Sequence, residues 1–139
     1  MSDFASAPPT RSLVVLEREE CLALLASVPI GQVVYSHQAL PEILPVNFRL
    51  DRGGVVIRVA SASTLARVAD GTVLAFHADR IDEATRSGWS VTVVGRVREV
   101  LDESEQTRIA ALPLESWIGN GRDHFLRIGA ERVTGRKLR

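Results

Sequence analysis

The chain is poor in the residues that would tie it to self-contained chemistry. It has one cysteine, Cys21, in 139 residues, so no internal disulfide can form, as is usual in a reducing compartment such as the cytoplasm. The three histidines, His37, His77 and His124, are widely spaced and have no cysteine or carboxylate partners at ligand spacing, which argues against a structural zinc site. No apolar run approaches the ~20 residues needed to cross a bilayer, so a membrane partner is not expected. Met1 to Thr10 lacks the basic head and apolar stretch of a signal peptide and reads as a frayed polar leader. No Gly-x-Ser-x-Gly elbow, Walker loop or Rossmann glycine fingerprint is present, so any difficult chemistry falls to a bound cofactor. Net charge is absent too, because 17 basic residues balance 17 acidic ones. Arginines are spread along the chain with acids among them, which leaves no basic stripe for nucleic acid.

What remains is an ordinary globular composition, 45% apolar and 24% charged, in a chain sized for one domain. A disordered leader over 1–12 and a single domain over 13–139 are expected. Residues 17–28 read as an amphipathic helix, with Cys21, Leu24, Leu25 and Val28 on one buried face, ended by Pro29. Cys21 then reads as a small core residue.

From Gly31 the pattern turns to strands. Gly31 to His37 is one, Leu40-Pro41 supplies a turn, and Glu42 to Leu50 is the next. Pro45 cannot donate to a ladder, so that strand lies at an edge or carries a bulge there. Asp51-Arg52-Gly53-Gly54 is a hairpin turn leading into Val55 to Val59. A short helix opens at Ser61-Ala62-Ser63-Thr64 and is closed by Asp70-Gly71. Thr72 to Asp79 is a strand, Arg80 to Gly88 a loop, and Trp89 to Val100 the longest strand, where Gly95 marks a bulge or a close backbone approach. A second amphipathic helix over Ser104 to Leu112 precedes a last strand, Phe125 to Arg136, with a break near Gly129. The fold class is therefore mainly β: a six-stranded antiparallel barrel with two or three peripheral helices, closure removing the exposed edges.

Three segments could carry chemistry. In Ile57 to Leu65 an arginine on a strand, Arg58, precedes Ser61, Ser63 and Thr64 in a turn that opens a helix. These groups could hold a phosphate through charge-assisted bonds and backbone donors, or could be helix caps beside an arginine facing water. In Leu44-Pro45-Val46-Asn47-Phe48, a proline-broken edge leaves backbone groups free for a planar heterocycle, with Asn47 as donor and acceptor, or is simply an irregular edge. In Ser87-Gly88-Trp89-Ser90-Val91 the tryptophan is core, cofactor wall or subunit contact. His77 and His124 are candidate acid–base groups or ordinary surface and core residues.

Together, in this order, these segments resemble the pyridoxamine 5′-phosphate oxidase-like family, the FMN-binding split β-barrel proteins. The resemblance runs from Leu16 to Leu138 and also rests on Val73-Leu74-Ala75-Phe76-His77-Ala78-Asp79, the Gly95-Arg96 that follows Ser87 to Val91, and the closing Val133-Thr134-Gly135-Arg136. It implies a homodimer with two FMN molecules between subunits. Pro45, Val46, Asn47 and Phe48 would run along the isoalloxazine edge, and Arg58, Ser61, Ser63 and Thr64 would hold the phosphate. Trp89, Ser90 and Val91 would come from the other subunit, with Trp117 covering the flavin. Two departures stand out: Thr64 where relatives commonly carry a lysine, and Phe76-His77-Ala78-Asp79 where they often show Phe-Glu-Val-Asp. The implied function is an FMN-dependent oxidoreductase taking electrons from NAD(P)H to a small molecule. The alternatives are a non-catalytic flavin- or haem-binding or sensing module, a deazaflavin-dependent reductase on the same fold, and a degenerate member with a structural role.

Overall fold

A computed structural model describes residues 12–113 and 123–139. Eight strands and three helices follow in the order β1 (Leu13–Val15), α1 (Arg18–Leu25), β2 (Ile30–His37), β3 (Leu40–Asp51), β4 (Gly54–Ala60), α2 (Thr64–Val68), β5 (Val73–Asp82), β6 (Ser87–Glu99), α3 (Glu103–Ala110), β7 (Asp123–Gly129) and β8 (Arg132–Leu138). All pairings are antiparallel. Six strands form a circuit, β6–β5–β2–β3–β4–β7, which returns to the far end of β6, while β8 and then β1 are added on β6's other side. This is the six-stranded antiparallel barrel expected from the strand pattern, in the split form that the resemblance implies. The two further strands arise because the last predicted strand divides at Ala130–Glu131 and because Leu13–Val15 pairs with its second half.

Three local expectations need correction. The first hairpin turns at Gln38–Ala39, both at positive φ (53° and 64°), not at Leu40–Pro41, and β3 already begins at Leu40. No glycine or asparagine marks that turn, so its sequence signal is missing. The segment Arg80 to Gly88 is not a loop throughout: β5 runs on to Asp82, which pairs with Ser87 across a short turn. Both long helices stop before their expected ends: α1 spans Arg18–Leu25 within the expected 17–28, and α3 spans Glu103–Ala110, starting one residue ahead of Ser104 and ending two before Leu112.

Pro45 behaves as its chemistry requires. It pairs with Gln32 of β2 on one side, whereas on the other side β3 meets β4 only from Phe48 onward, so no ladder bond is lost at the proline. Gly95 is a close approach. A Cβ there would lie 1.6 Å from the carbonyl oxygen of Gly129, at the point where β6 leaves β8 for β7.

The barrel interior is filled by alternate residues of the six strands in the circuit: Val33, Phe48, Val55, Ile57, Phe76, Val91, Val93, Val97, Leu126 and Ile128 are essentially inaccessible. Cys21 and Leu25 of α1 join the same core where that helix packs on β8 and β6, and Cys21 sits against Gly135 of β8. Burial, followed by the nearby charge of Glu20, raises the Cys21 thiol above its ordinary pKa, consistent with an inert packing residue. On the outer face, Ile109 of α3 packs on Val56 and Val100. Asp102 caps that helix by accepting from the Glu105 amide at 3.0 Å. Charge fastens the same helix: Asp51 at the β3–β4 turn is bridged by Arg108 of α3 and, at 2.6 Å, by Arg127 of β7, which also reaches Glu105 at 2.8 Å. The bond from Arg108, together with that from Arg127, outweighs burial and holds the Asp51 carboxyl below its ordinary range.

Candidate functional site

The ladder between β3 and β4 stops at Phe48–Ile57. Beyond that pair the strands diverge, and alternation sends Asn47 of β3 and Arg58 of β4 to the outside of the barrel on either side of the opening. Asn47 is the one buried polar residue among those described, 9% exposed, and Arg58 is half-buried. The chain leaves β4 at Ala60 and turns through the half-buried Ser61. Ser63 then caps α2, its hydroxyl accepting from the Ala66 amide at 3.1 Å, and Thr64 accepts from Arg67 at 3.4 Å. Arg58, Ser61 and Thr64 thus follow one another along the chain just past the end of the β3–β4 ladder, and Asn47 stands on the β3 side of that end. Ser63 is committed to the cap reading weighed against phosphate binding, although one lone pair and the hydroxyl proton stay available.

The other predicted residues divide by face. Pro45 is exposed on the outer surface. Val46, Phe48, Trp89 and Val91 belong to the buried core, with the Phe48 ring tilted against Phe76 at a centroid distance of 4.6 Å, so their side chains are occupied in packing. Ser90 lies outward and half-buried. Trp117 falls outside the described residues.

Next to Pro45 the outer face carries a row that sequence reasoning did not assemble. Cross-strand register aligns Pro45, Gln32, His77, Thr92 and Thr134 on β3, β2, β5, β6 and β8. The His77 ring is held at both nitrogens: Nδ1 lies 3.2 Å from Thr92 Oγ1, and Nε2 lies 3.1 Å from Asp79 Oδ2. The Phe-His-Ala-Asp motif contained half of this, because residues i and i+2 of a strand share a face. Thr92 required the β5–β6 register. The β2–β5 ladder ends at Gln32–His77, and past it the strands separate around a cavity of about 220 Å3 walled by Ile30, Gly31, Gln32, Pro45, His77, Ala78 and Asp79.

His124 is elsewhere. Its Nδ1 approaches Glu99 at 2.9 Å on the wall of a cavity of about 600 Å3 between α3 and the ends of β6 and β7. Among the described residues no group of His, Cys, Asp and Glu could hold a metal ion, and no helix is long and apolar enough to cross a membrane.

A family model described as pyridoxamine 5′-phosphate oxidase matches residues 17–137. An uncharacterised protein of Mycobacterium tuberculosis is 37% identical over 139 residues, covering 96% of this chain and 91% of that one. Among solved structures, a candidate pyridoxamine 5′-phosphate oxidase from Corynebacterium glutamicum superposes with a TM-score of 0.79 at 30% identity, covering 90% of this chain and 92% of the other. An FAD-binding protein from Mycobacterium smegmatis superposes at 0.77 with 31% identity, covering 90% and 97%.

Proposed function

Since the chain belongs to the pyridoxamine 5′-phosphate oxidase family, we propose that it binds FMN in the gap where β3 and β4 part and works as a flavin-dependent oxidoreductase. One observation carries this reading: the end of the β3–β4 ladder opens the outer wall between Asn47 and Arg58, directly before the hydroxyl-bearing turn of Ser61 to Thr64. These residues fit the group. Arg58 supplies a guanidinium for a phosphate, Ser61 and Thr64 supply hydroxyls, and the proline-interrupted edge at Pro45 to Asn47 presents backbone to a planar ring. A bound flavin supplies two-electron transfer, with NAD(P)H the proposed donor. This chain's part is to bind and orient the ring and to exclude water from one side of it.

The active form is a homodimer in this reading. The outward row next to His77 is apolar, with Ile43 on β3 (64% exposed), Val34, Ala75 and Val94 in register across four strands, and it offers a second copy a face to cover. A cytoplasmic location, with neither nucleic acid nor membrane as partner, completes the proposal.

Visible absorption after incubation with FMN and desalting tests the reading. Retained flavin bands, lost in Arg58→Ala, are expected. A colourless protein in both cases refutes FMN binding. Parallel incubations with FAD, a deazaflavin and haem separate the cofactors, and the relative described as FAD-binding makes the FMN–FAD comparison the first to run.

A further inference from the structure

The cavity beside Pro45 has a chemistry of its own. Where β2 and β5 separate, Gln32 and Asp79 stand on its opposite walls. The Gln32 side chain is exposed and makes no hydrogen bond among the described residues, so its NH2 is available to donate. Asp79 is bound through Oδ2 to His77, and no partner among the described residues occupies Oδ1. Thr92 in turn anchors the opposite side of the His77 ring. The result is a fixed acceptor and a free donor on the lining of a small cavity to which Pro45 and Ile30 add apolar surface.

We propose that this cavity reads the imide edge of a flavin ring, the –CO–NH–CO– unit. Asp79 Oδ1 accepts from the imide N–H and Gln32 donates to an adjacent carbonyl. His77 is a positioning residue: it fixes the carboxylate from behind and is itself fixed by Thr92. The proposal rests on the flavin reading above and deepens it by assigning the ring end of the site. The register supports the placement, because Pro45, Gln32 and His77 are successive cross-strand neighbours and two strand spacings, about 10 Å, separate the first from the last. The edge is common to FMN, FAD, riboflavin and deazaflavins and absent from haem, so the cavity selects the ring rather than the phosphate.

The test compares riboflavin with 3-methylriboflavin, which lacks the imide proton, by fluorescence titration of the whole chain. Neither ligand carries a phosphate. Wild type is expected to bind riboflavin about tenfold more tightly, the worth of one hydrogen bond to a charged group. In Asp79→Ala the methylation penalty disappears because riboflavin falls to the level of its methyl derivative. His77→Gln and Thr92→Val reduce the penalty without abolishing binding, an effect that mere loss of stability would not produce. Arg58→Ala leaves the penalty intact. Equal binding of the two ligands by wild type, or a penalty that survives in Asp79→Ala, overturns the assignment while leaving the flavin reading standing. If wild type binds neither riboflavin nor FMN, the flavin reading itself fails, and this assignment with it.

Discussion

Gly135, in the Val-Thr-Gly-Arg segment that closes the chain, is explained by what lies over it. A Cβ at this position would sit 2.6 Å from Cys21 Sγ, 3.0 Å from Val91 Cγ2 and 3.2 Å from the Ser90 carbonyl oxygen. The first contact is far inside van der Waals range, and Cys21 is wholly buried on α1, so the sulfur has nowhere to swing. Gly135→Ala therefore overpacks the seat of α1 on β8 and is expected to cost about 1–3 kcal/mol. Cys21→Ala alone removes one buried heavy atom and should cost about 1 kcal/mol. Together the two changes exchange one atom's volume for another across the same contact. The double variant should be at least about 1 kcal/mol more stable than the sum of the singles predicts, though below wild type because the Val91 and Ser90 contacts persist. Urea unfolding of all four proteins measures this, and for a domain of this size each kcal/mol is also about 3–5 °C in melting temperature. Additivity within about 0.5 kcal/mol would refute the reasoning, since it would mean that the sulfur and the new methyl group never compete for space.

Asp51→Asn removes the negative charge that two arginines share and leaves a single neutral acceptor oxygen between them; it should cost about 2–3 kcal/mol near neutral pH, below the full figure for a buried pair because Arg108 is 30% exposed and Arg127 keeps Glu105 and the Asp51 main-chain carbonyl. The depressed Asp51 carboxyl favours the folded state above its unfolded pKa of about 3.9, and that contribution is lost as pH falls through the lower folded value. Acid titration monitored by circular dichroism should accordingly show a shallower loss of stability below about pH 4 in Asp51→Asn than in wild type. Gly95→Ala places its methyl group on the Gly129 carbonyl and should yield no soluble folded protein, whereas Gly53→Ala, in open space at φ +76°, should fold with a modest penalty, both read by expression and melting. Val34→Asp puts a charge in the middle of the apolar outer row and, on the proposed dimer, should shift the sedimentation coefficient from that of a dimer to that of a monomer. An unchanged dimer would exclude that face as the contact.

Much of the barrel was legible in residue order because its strands announce themselves through β-branched alternation and its turns through glycine. Asp51 to Gly54 is such a turn, with Arg52 and Gly53 both at positive φ, and it falls where the glycines demand. Gln38–Ala39 adopts the same left-handed geometry without any residue that favours it, because the pairing of β2 with β3 on both sides of the turn imposes it. Arg80 to Gly88 looks like a loop since its polar residues face solvent on both sides of a projecting hairpin, and hydrogen bonding, not burial, keeps it extended. The candidate site shows the same division. Arg58 and the hydroxyl turn are close in sequence and could be named together. Gln32, His77 and Thr92 come from three strands and meet only through register, which no local pattern encodes.

Strand β6 is hydrogen-bonded to β5 along one side and to β8 and then β7 along the other. No neighbour can peel away and free both of its edges at once. Its central amides, at Val91, Val93 and Val97, should therefore exchange with solvent deuterium only when the entire molecule unfolds, while those of β1, tied to a single partner over three residues, exchange through local fraying. The exchange rate at those three valines then reports the global unfolding free energy directly.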